Sequence, residues 1–413
     1  MNFVTPTTLY NKNFITYLIA LEISMISNAI LLFALPLYVL IYTGNPTLMG
    51  TILTISAIPQ VLSAPIGGIL GDRFSKRNLI ASVNIIASII TLVYLLIANL
   101  FSFLPVIVLL FLLIEGTQAF VSPSQEATIP AIVPEKYLMK ANSINFMLSI
   151  FSGVGSPIIA GFIMERHGIK PVLIIAIGLF FLAGIIYSTV KIPFTKQMYS
   201  SRNILRTLFD DLRAGLTFTM KESNTHRKVI IGLTLYNMIL WPILGILLPV
   251  VITNYFYFGE SVNGIIRGVI VFGASFGVIL GDKLGERLHA GVLRRITFYT
   301  AYAIIPAILS FFLLGNHVFT LLIFVISLFV MWVLFTLYVL IVYTYVGMQT
   351  PPEYMTKAFA ILSSINALGP ILSNQIYGWL MAVFVGTPQW IMILIFTAMI
   401  LLGAFTKASV EID

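Results

Sequence analysis

Residues 67–78 read GGILGDRFSKRN, and 210 residues later residues 277–288 read GVILGDKLGERL. Gly67, Ile69, Leu70, Gly71, Asp72 and Arg77 recur as Gly277, Ile279, Leu280, Gly281, Asp282 and Arg287, while Lys283 answers Arg73. A second echo follows at an offset of 217. VPEKYLMKA (133–141) corresponds to TPPEYMTKA (350–358), pairing Pro134 with Pro351, Tyr137 with Tyr354 and Lys140 with Lys357, and Gly161 then pairs with Gly378. Two echoes at nearly one offset indicate a duplicated unit of about half the chain. Each copy of the first stretch sits where a long apolar run stops. The first concentrates Asp72, Arg73, Lys76 and Arg77 within six positions, in a chain with only 9% charged residues.

The composition identifies the solvent. Of 413 residues, 59% are hydrophobic, and the mean hydropathy is +1.01. Soluble domains are roughly half apolar and a quarter charged, so most of this chain's surface needs surroundings other than water. Cysteine is absent, which removes disulfides and Cys-ligated metals. His167, His226, His289 and His317 are scattered without metal-ligand spacing. With no P-loop, metal cluster or nucleophile–base constellation, neither an enzyme nor an ATP-driven pump is expected, and no cofactor. The start, MNFVTPTTLYNKN, runs into an apolar segment too long for the core of a signal peptide. That segment reads as the first membrane span.

A spanning helix needs about 20 mostly apolar residues. Twelve such segments are expected: spans one to twelve at 14–41, 47–70, 78–98, 103–124, 137–163, 169–189, 229–254, 261–281, 293–314, 318–346, 356–384 and 389–406. Short polar turns such as TGNPT (43–47) join most of them. The expected fold is therefore an all-α membrane protein of two pseudo-symmetric six-helix bundles, 1–190 and 229–413, joined by a basic linker at 191–228. Within that linker, ILRTLFDDLRAGLTF (204–218) places Leu205, Leu208, Phe209, Leu212 and Leu216 on one helical face. This predicts an amphipathic helix lying along the membrane surface.

Basic residues set the orientation. With the N-terminus inside, 20 of the 23 Lys and Arg residues fall in inner segments, leaving Arg166 and Lys170 outside and Arg267 within a span. That asymmetry follows the positive-inside rule and puts both termini in the cytoplasm of a cell with a plasma membrane. The net charge of +8 thus faces anionic lipid, and nucleic acid is not an expected partner.

Gly68-xxx-Asp72-Arg73-x-Ser75-Lys76-Arg77 resembles the signature G-x-x-x-D-R-x-G-R/K-R/K of the major facilitator superfamily, found between spans two and three. Ser75 replaces the second glycine, which the repeat restores as Gly285. The superfamily also has two six-helix halves, so the resemblance covers the whole chain. It implies a transporter whose halves rock around a central site. Independently, small residues let membrane helices approach closely, and a carboxylate at Asp72 suits a neighbouring helix N-terminus. The resemblance places that neighbour at the start of span eleven, near Tyr354 to Lys357. An inner gate is thus expected from Gly68, Asp72, Arg73, Lys76 and Arg77, with Asp282, Lys283 and Arg287 as its second copy.

Span five contains SGVGSPIIAG (152–161), which resembles the G-x-x-x-G-P-x-x-G-G signature of superfamily exporters. Pro157 and Gly161 are retained as helix-packing residues, and Ser152, Ser156 and Ala160 stand for glycines. Residues 114–136 and FDDLRAGLTF (209–218) are similar to the drug-exporter branch that includes macrolide efflux proteins. That branch carries an intramembrane arginine in span four near Ile114, where this chain has Glu115 next door. Span one ends in Ala34-Leu35-Pro36, which resembles an exporter pattern whose upstream aspartate is here Ser27.

Ionisable residues at membrane depth are costly and functional by default. Glu22 in span one, Glu115 in span four, Glu126 following Pro123 at the inner end of span four, and Arg267 in span eight are the proton or substrate candidates. Arg267 serves equally as an interhelical clamp or outer gate. Asn28, Tyr236, Asn237, Trp241, Trp332 and Tyr338 are candidates to line a cavity, where aromatic rings suit amphiphilic cargo; rings facing lipid are the alternative. The expected function is proton-coupled efflux of amphiphilic or cationic drugs such as macrolides, by a protein working as a monomer. A lysophospholipid or other lipid flippase and a small-solute importer are the alternatives within transport.

Overall fold

The computed structural model describes residues 8–97, 103–193, 224–284, 292–313, 317–349 and 355–407, and among them there is no strand. Over the described residues all twelve expected spans are helical, with a break in span nine at Ile304. Among the described residues, ten helices are long and apolar enough to cross a membrane. The other two, Pro46–Arg73 and Met355–Val383, have 28 and 29 residues, about 42 Å at ~1.5 Å per residue against a hydrocarbon core of ~30 Å. The outside of the helices is as apolar as the inside: Ile326, Leu401 and Phe181 are exposed, while Phe111, Phe180 and Phe324 are fully buried. Helices hydrophobic all round belong in a bilayer. The protein is a multi-pass membrane protein.

Local chemistry sets the helix ends. Asn11 Oδ1 accepts the Phe14 N–H at 2.9 Å and opens span one, as Asn45 Oδ1 accepts the Thr47 N–H at 2.9 Å and opens span two. Such side-chain acceptors satisfy backbone donors that a helix start leaves unpaired. Gly44 and Gly168 take positive φ at helix ends, 62° and 74°, a conformation that costs glycine nothing. Proline shapes two other spans. Span seven begins at Asn224, inside the segment read as linker, and runs as an α-helix to Pro242. It then widens into π-helix at Ile243–Leu247 and again at Val251–Tyr255. The Leu248 N–H reaches back to the Ile243 carbonyl, and that of Phe256 to the Val251 carbonyl at 3.0 Å. Pro242 and Pro249 have no N–H to give the ordinary ladder. Span nine breaks at Ile304 into Val292–Ala303 and Ile305–Leu313, with Pro306 just past the break. The amphipathic stretch 204–218 lies outside the described residues.

The contacts divide the chain into two compact units. Unit 1 comprises Met1–Val39 and Ile55–Ser201; unit 2 comprises Leu40–Thr54 and Arg202–Asp413. In unit 1, span three packs along span six, and in unit 2 span nine packs along span twelve, the equivalent pairing in a duplicated bundle. Glycine notches allow these approaches. A Cβ on Gly184 in span six would lie 2.6 Å from Ile85 Cγ1 in span three. One on Gly403 in span twelve would lie 2.9 Å from the Phe298 ring in span nine. Without a hydrophobic drive between helices in lipid, such close packing is a main source of cohesion. At the lysine-bearing end of unit 1, Asn13 clamps span one to the end of span six. Its Nδ2 donates to the Lys191 carbonyl and its Oδ1 accepts the Lys191 N–H, both at 2.7 Å.

Within unit 2, the first turns of span two meet span eleven. A Cβ on Gly50 would lie 2.6 Å from the Asn374 carbonyl and 3.0 Å from Gly378 Cα. Thr51 Oγ1 bonds Gln375 Oε1 at 3.0 Å beside this crossing.

Candidate functional site

Unit 1 holds a polar seam between spans one and four. Two contacts fix its register. Tyr17 OH donates to the Gln125 carbonyl at 2.8 Å, and eleven residues later Asn28 hydrogen-bonds the carboxyl of Glu115. The two helices therefore run antiparallel. Glu115 is 5% exposed, and Gln60 of span two is its second hydrogen-bonding partner. Its other oxygen, Oε1, has no hydrogen-bond partner, and neither do Asn28 Oδ1 and, three residues further along span four, Gln118 Nε2. A buried polar group without a partner costs free energy on the order of 1–3 kcal/mol, so a cluster of them marks a place built for something besides packing.

Glu22 lies on span one between those two contacts. Both of its carboxyl oxygens are buried and unpartnered, although the residue as a whole is half-buried. Glu126, at the last turn of span four, is exposed and accepts a hydrogen bond from Ser122 Oγ at 3.4 Å. Two serines of span one are satisfied, whereas Ser124 Oγ of span four and the hydroxyl of Tyr187, whose ring packs on Tyr17, are buried and unpartnered. Ser24 Oγ donates to Asn84 Oδ1 at 2.7 Å, and Ser27 Oγ to the Ala176 carbonyl at 2.9 Å. Ser27, which stands for the exporter aspartate, is thus occupied in helix packing.

Unit 2 has aromatic rings in the corresponding place. Tyr236 of span seven stacks on Tyr338 of span ten at 4.0 Å between centroids and 8° between planes. Phe335 lies parallel to Tyr236 at 5.9 Å and continues to Trp332 at 4.9 Å and on to Trp241 at 6.4 Å. Thr300 Oγ1 donates to the Ile296 carbonyl at 2.8 Å, so the Tyr236 hydroxyl, 2.6 Å away, is the donor to Thr300. Tyr236 and Tyr338 are fully buried and Trp332 nearly so, whereas Trp241 is 48% exposed. Four of these five rings are core of unit 2, with Trp241 at its edge. Asn237 Nδ2 bonds back to the Leu233 carbonyl at 3.1 Å, within its own helix.

Arg267 is half-buried in span eight, one turn after Asn263. Asn263 is buried, donates to Thr253 Oγ1 at 3.1 Å and leaves its Oδ1 unpartnered. In span five, Ser152, Ser156, Pro157, Ala160 and Gly161 are all buried, one small-residue face as its pattern requires. The inner-gate residues are only partly described. The surroundings of Gly68, the side chains of Asp72 and Arg73, and all of Arg287 lie outside the described residues. Arg77 is exposed, with Nε on Asn78 Oδ1 at 3.0 Å; Lys76 is half-exposed, and Asp282 and Lys283 are exposed at the end of span eight.

Sequence reasoning brings Glu115 and Asn28 forward but passes over Gln60 and Gln118. Their signal is the same as that of Glu115, a strongly polar side chain at membrane depth. The widened turns of span seven, a form often found at functional sites, were signalled by Pro242 and Pro249.

Comparison with known proteins supplies the family. The sequence model of the Major Facilitator Superfamily matches residues 17–373. The macrolide efflux protein A of Streptococcus pyogenes is 25% identical over 391 residues, covering 90% of this chain and 89% of that protein. The macrolide efflux protein A of Enterococcus faecalis is 25% identical over 330 residues, covering 75% and 94%. Among solved structures, a bacterial homologue of the iron transporter ferroportin, in its inward-facing state, superposes with a TM-score of 0.75 at 14% identity over 98% of this chain and all of that one. The nucleoside transporter NupG superposes with a TM-score of 0.73 at 15% identity over 98% and 100%. Cargo differs widely between these neighbours, so they speak for the fold. Apolar helices of spanning length, a duplicated loop motif and a family match over residues 17–373 agree: the chain belongs to the Major Facilitator Superfamily and is a membrane transporter, not an enzyme.

Proposed function

We propose that the protein exports amphiphilic, cationic compounds, macrolides among them, by alternating access driven by the proton gradient. The observation that carries this reading is Glu115, a buried carboxyl with one oxygen held by Asn28 and Gln60 and the other unpartnered. Such a group can exchange a proton for the ammonium of a cargo. Macrolides carry a basic amine, and relatives named for macrolide efflux match 90% of the chain. The same reading places the protein in a bacterial plasma membrane with both termini cytoplasmic, acting as a monomer without a cofactor. It makes GGILGDRFSKRN the latch of the inner gate, so Asp72→Asn impairs transport while leaving membrane insertion intact.

The test is expression in a pump-deficient bacterial host. The expected result is raised macrolide resistance and lowered accumulation of a cationic dye, both abolished by an uncoupler. Unchanged resistance and accumulation overturn the export reading. Efflux that persists with the uncoupler overturns proton coupling alone.

A further inference from the structure

Asn28, Gln60 and Glu115 stand at the midpoints of their helices, Lys12–Thr43, Pro46–Arg73 and Phe103–Glu126. The contacts among them are direct. Both amides hydrogen-bond the Glu115 carboxyl. A Cβ on Gly116 would lie 3.7 Å from Cβ and Cγ of Pro59, so spans two and four meet at this level. The middle of a bilayer offers no water to a polar atom, and one without a partner is most costly there.

Which atoms are left free decides what the site can take. Glu115 Oε1 is unpartnered, so both amides converge on Oε2. A carboxylate accepts and does not donate, so Asn28 turns its Nδ2 to Glu115, and Asn28 Oδ1 is left unpartnered. Each free oxygen shares a carbon with one atom of the Asn28–Glu115 contact, so the two flank it. Both are acceptors, and what completes them is a donor. Gln60 is the exposed member of the three. Polar side chains at membrane depth turn to the bundle interior or to a water-filled cavity rather than to lipid, so a donor reaches the pair past Gln60.

Resting on the export reading, we propose that Glu115 Oε1 and Asn28 Oδ1 select cargo by its ammonium N–H groups. The exported class is protonated amines, and a quaternary ammonium, which has no N–H, is refused. Glu115 takes the charge and the first N–H; Asn28 takes a second where the amine carries one. A site built around a donor rejects an analogue that lacks it, because the buried acceptors are then left unpaired. Gln60 and Asn28 Nδ2 hold Oε2, which fixes Oε1 as the oxygen that meets the cargo.

The test holds the cargo scaffold constant and varies only the amine. Protonated N-demethylerythromycin carries two N–H groups, protonated erythromycin one, and the quaternary N-methylerythromycin none. Binding of each to the full-length protein in detergent is measured by equilibrium dialysis, at a pH where both amines are protonated. The quaternary form is expected to bind on the order of 10²-fold more weakly than erythromycin, the scale of one lost hydrogen bond between charged groups. The demethylated form is expected to bind roughly 5-fold more tightly, through its second bond. Asn28→Leu keeps a branched side chain without the acceptor, so it removes that second preference while the quaternary form is still refused. Equal binding of all three forms by the wild type overturns the N–H rule and leaves export standing. A demethylated-form preference that survives in Asn28→Leu reports bulk rather than N–H groups and overturns the part given to Asn28. A uniform loss across the three forms assigns Asn28 to packing and overturns it as well. Failure of erythromycin itself to bind overturns the export reading, and the N–H rule with it.

Discussion

Spans one and four of unit 1 and spans seven and ten of unit 2 occupy equivalent places in the duplicated fold, yet they are filled with opposite chemistry. At the offset of the first echo, Glu22 falls on Gly232 and Asn28 on Met238; at the offset of the second, Glu115 falls on Trp332. No charged residue occurs between 229 and 254 or between 318 and 346. Where unit 1 has carboxyls and amides with unpartnered atoms, unit 2 has the column of Tyr338, Tyr236, Phe335, Trp332 and Trp241. The lesson concerns division of labour. A proton-carrying group needs polar neighbours and a route to water, whereas an aromatic column needs tight apolar packing. One seam can hardly provide both. Duplication gave two copies of the same seam, free to diverge.

The contrast can be broken at four points. Trp332→Ala removes the ring that joins Phe335 to Trp241 from a core position and should destabilise unit 2 by about 3–5 kcal/mol. Thermal unfolding in detergent checks this, and a small loss would mean that the column is not structural. Glu115→Gln keeps shape and hydrogen bonding but removes the exchangeable proton. Active efflux should fall about 10²-fold, equivalent to about 2.7 kcal/mol in the coupled step, with little change in melting temperature. Equal damage to stability and transport would place Glu115 in the same structural class as Trp332.

Gly277→Val tests packing that neither seam owns. Its Cβ would lie 2.7 Å from Thr336 Cβ and 2.7 Å from the Val333 carbonyl, so span eight must move away from span ten, at about 1–3 kcal/mol. Lowered folded yield with unchanged pH dependence of transport is the expected pair of results. The smallest effect is that of Tyr236→Phe. It deletes a single hydroxyl that donates to Thr300 and should cost about 1 kcal/mol of stability without altering proton flux. A change in flux would show that unit 2 also handles protons and would erase the distinction.

Much of this was readable beforehand, and for definite reasons. Each span is long and apolar enough to be recognised alone, since every backbone group in lipid must be bonded within its own helix. The repeated loop motif carries polar residues that stand out against their surroundings. Glu115 was recognisable because a carboxylate is rare at membrane depth. The widened turns of span seven and the break in span nine were not legible, because Pro242, Pro249 and Pro306 act on backbone bonds that periodicity does not register.

Rotation of the helices was the hidden quantity. Lipid is as apolar as the packed interior, so the hydrophobic pattern of a span barely distinguishes the face that meets protein from the face that meets bilayer. Trp241 and Trp332 look alike in sequence, yet one is half exposed and the other nearly buried.

The sequence by itself determined the solvent, the number of spans, the duplication and the family, because these depend on composition, length and local motifs. Only the tertiary structure decided that Asn28 and Gln60 reach Glu115, that Tyr17 meets the Gln125 carbonyl, and that the aromatic residues of unit 2 form one column. Those facts depend on how deep each helix sits and how far it is turned about its axis, which packing between helices sets and no single span encodes.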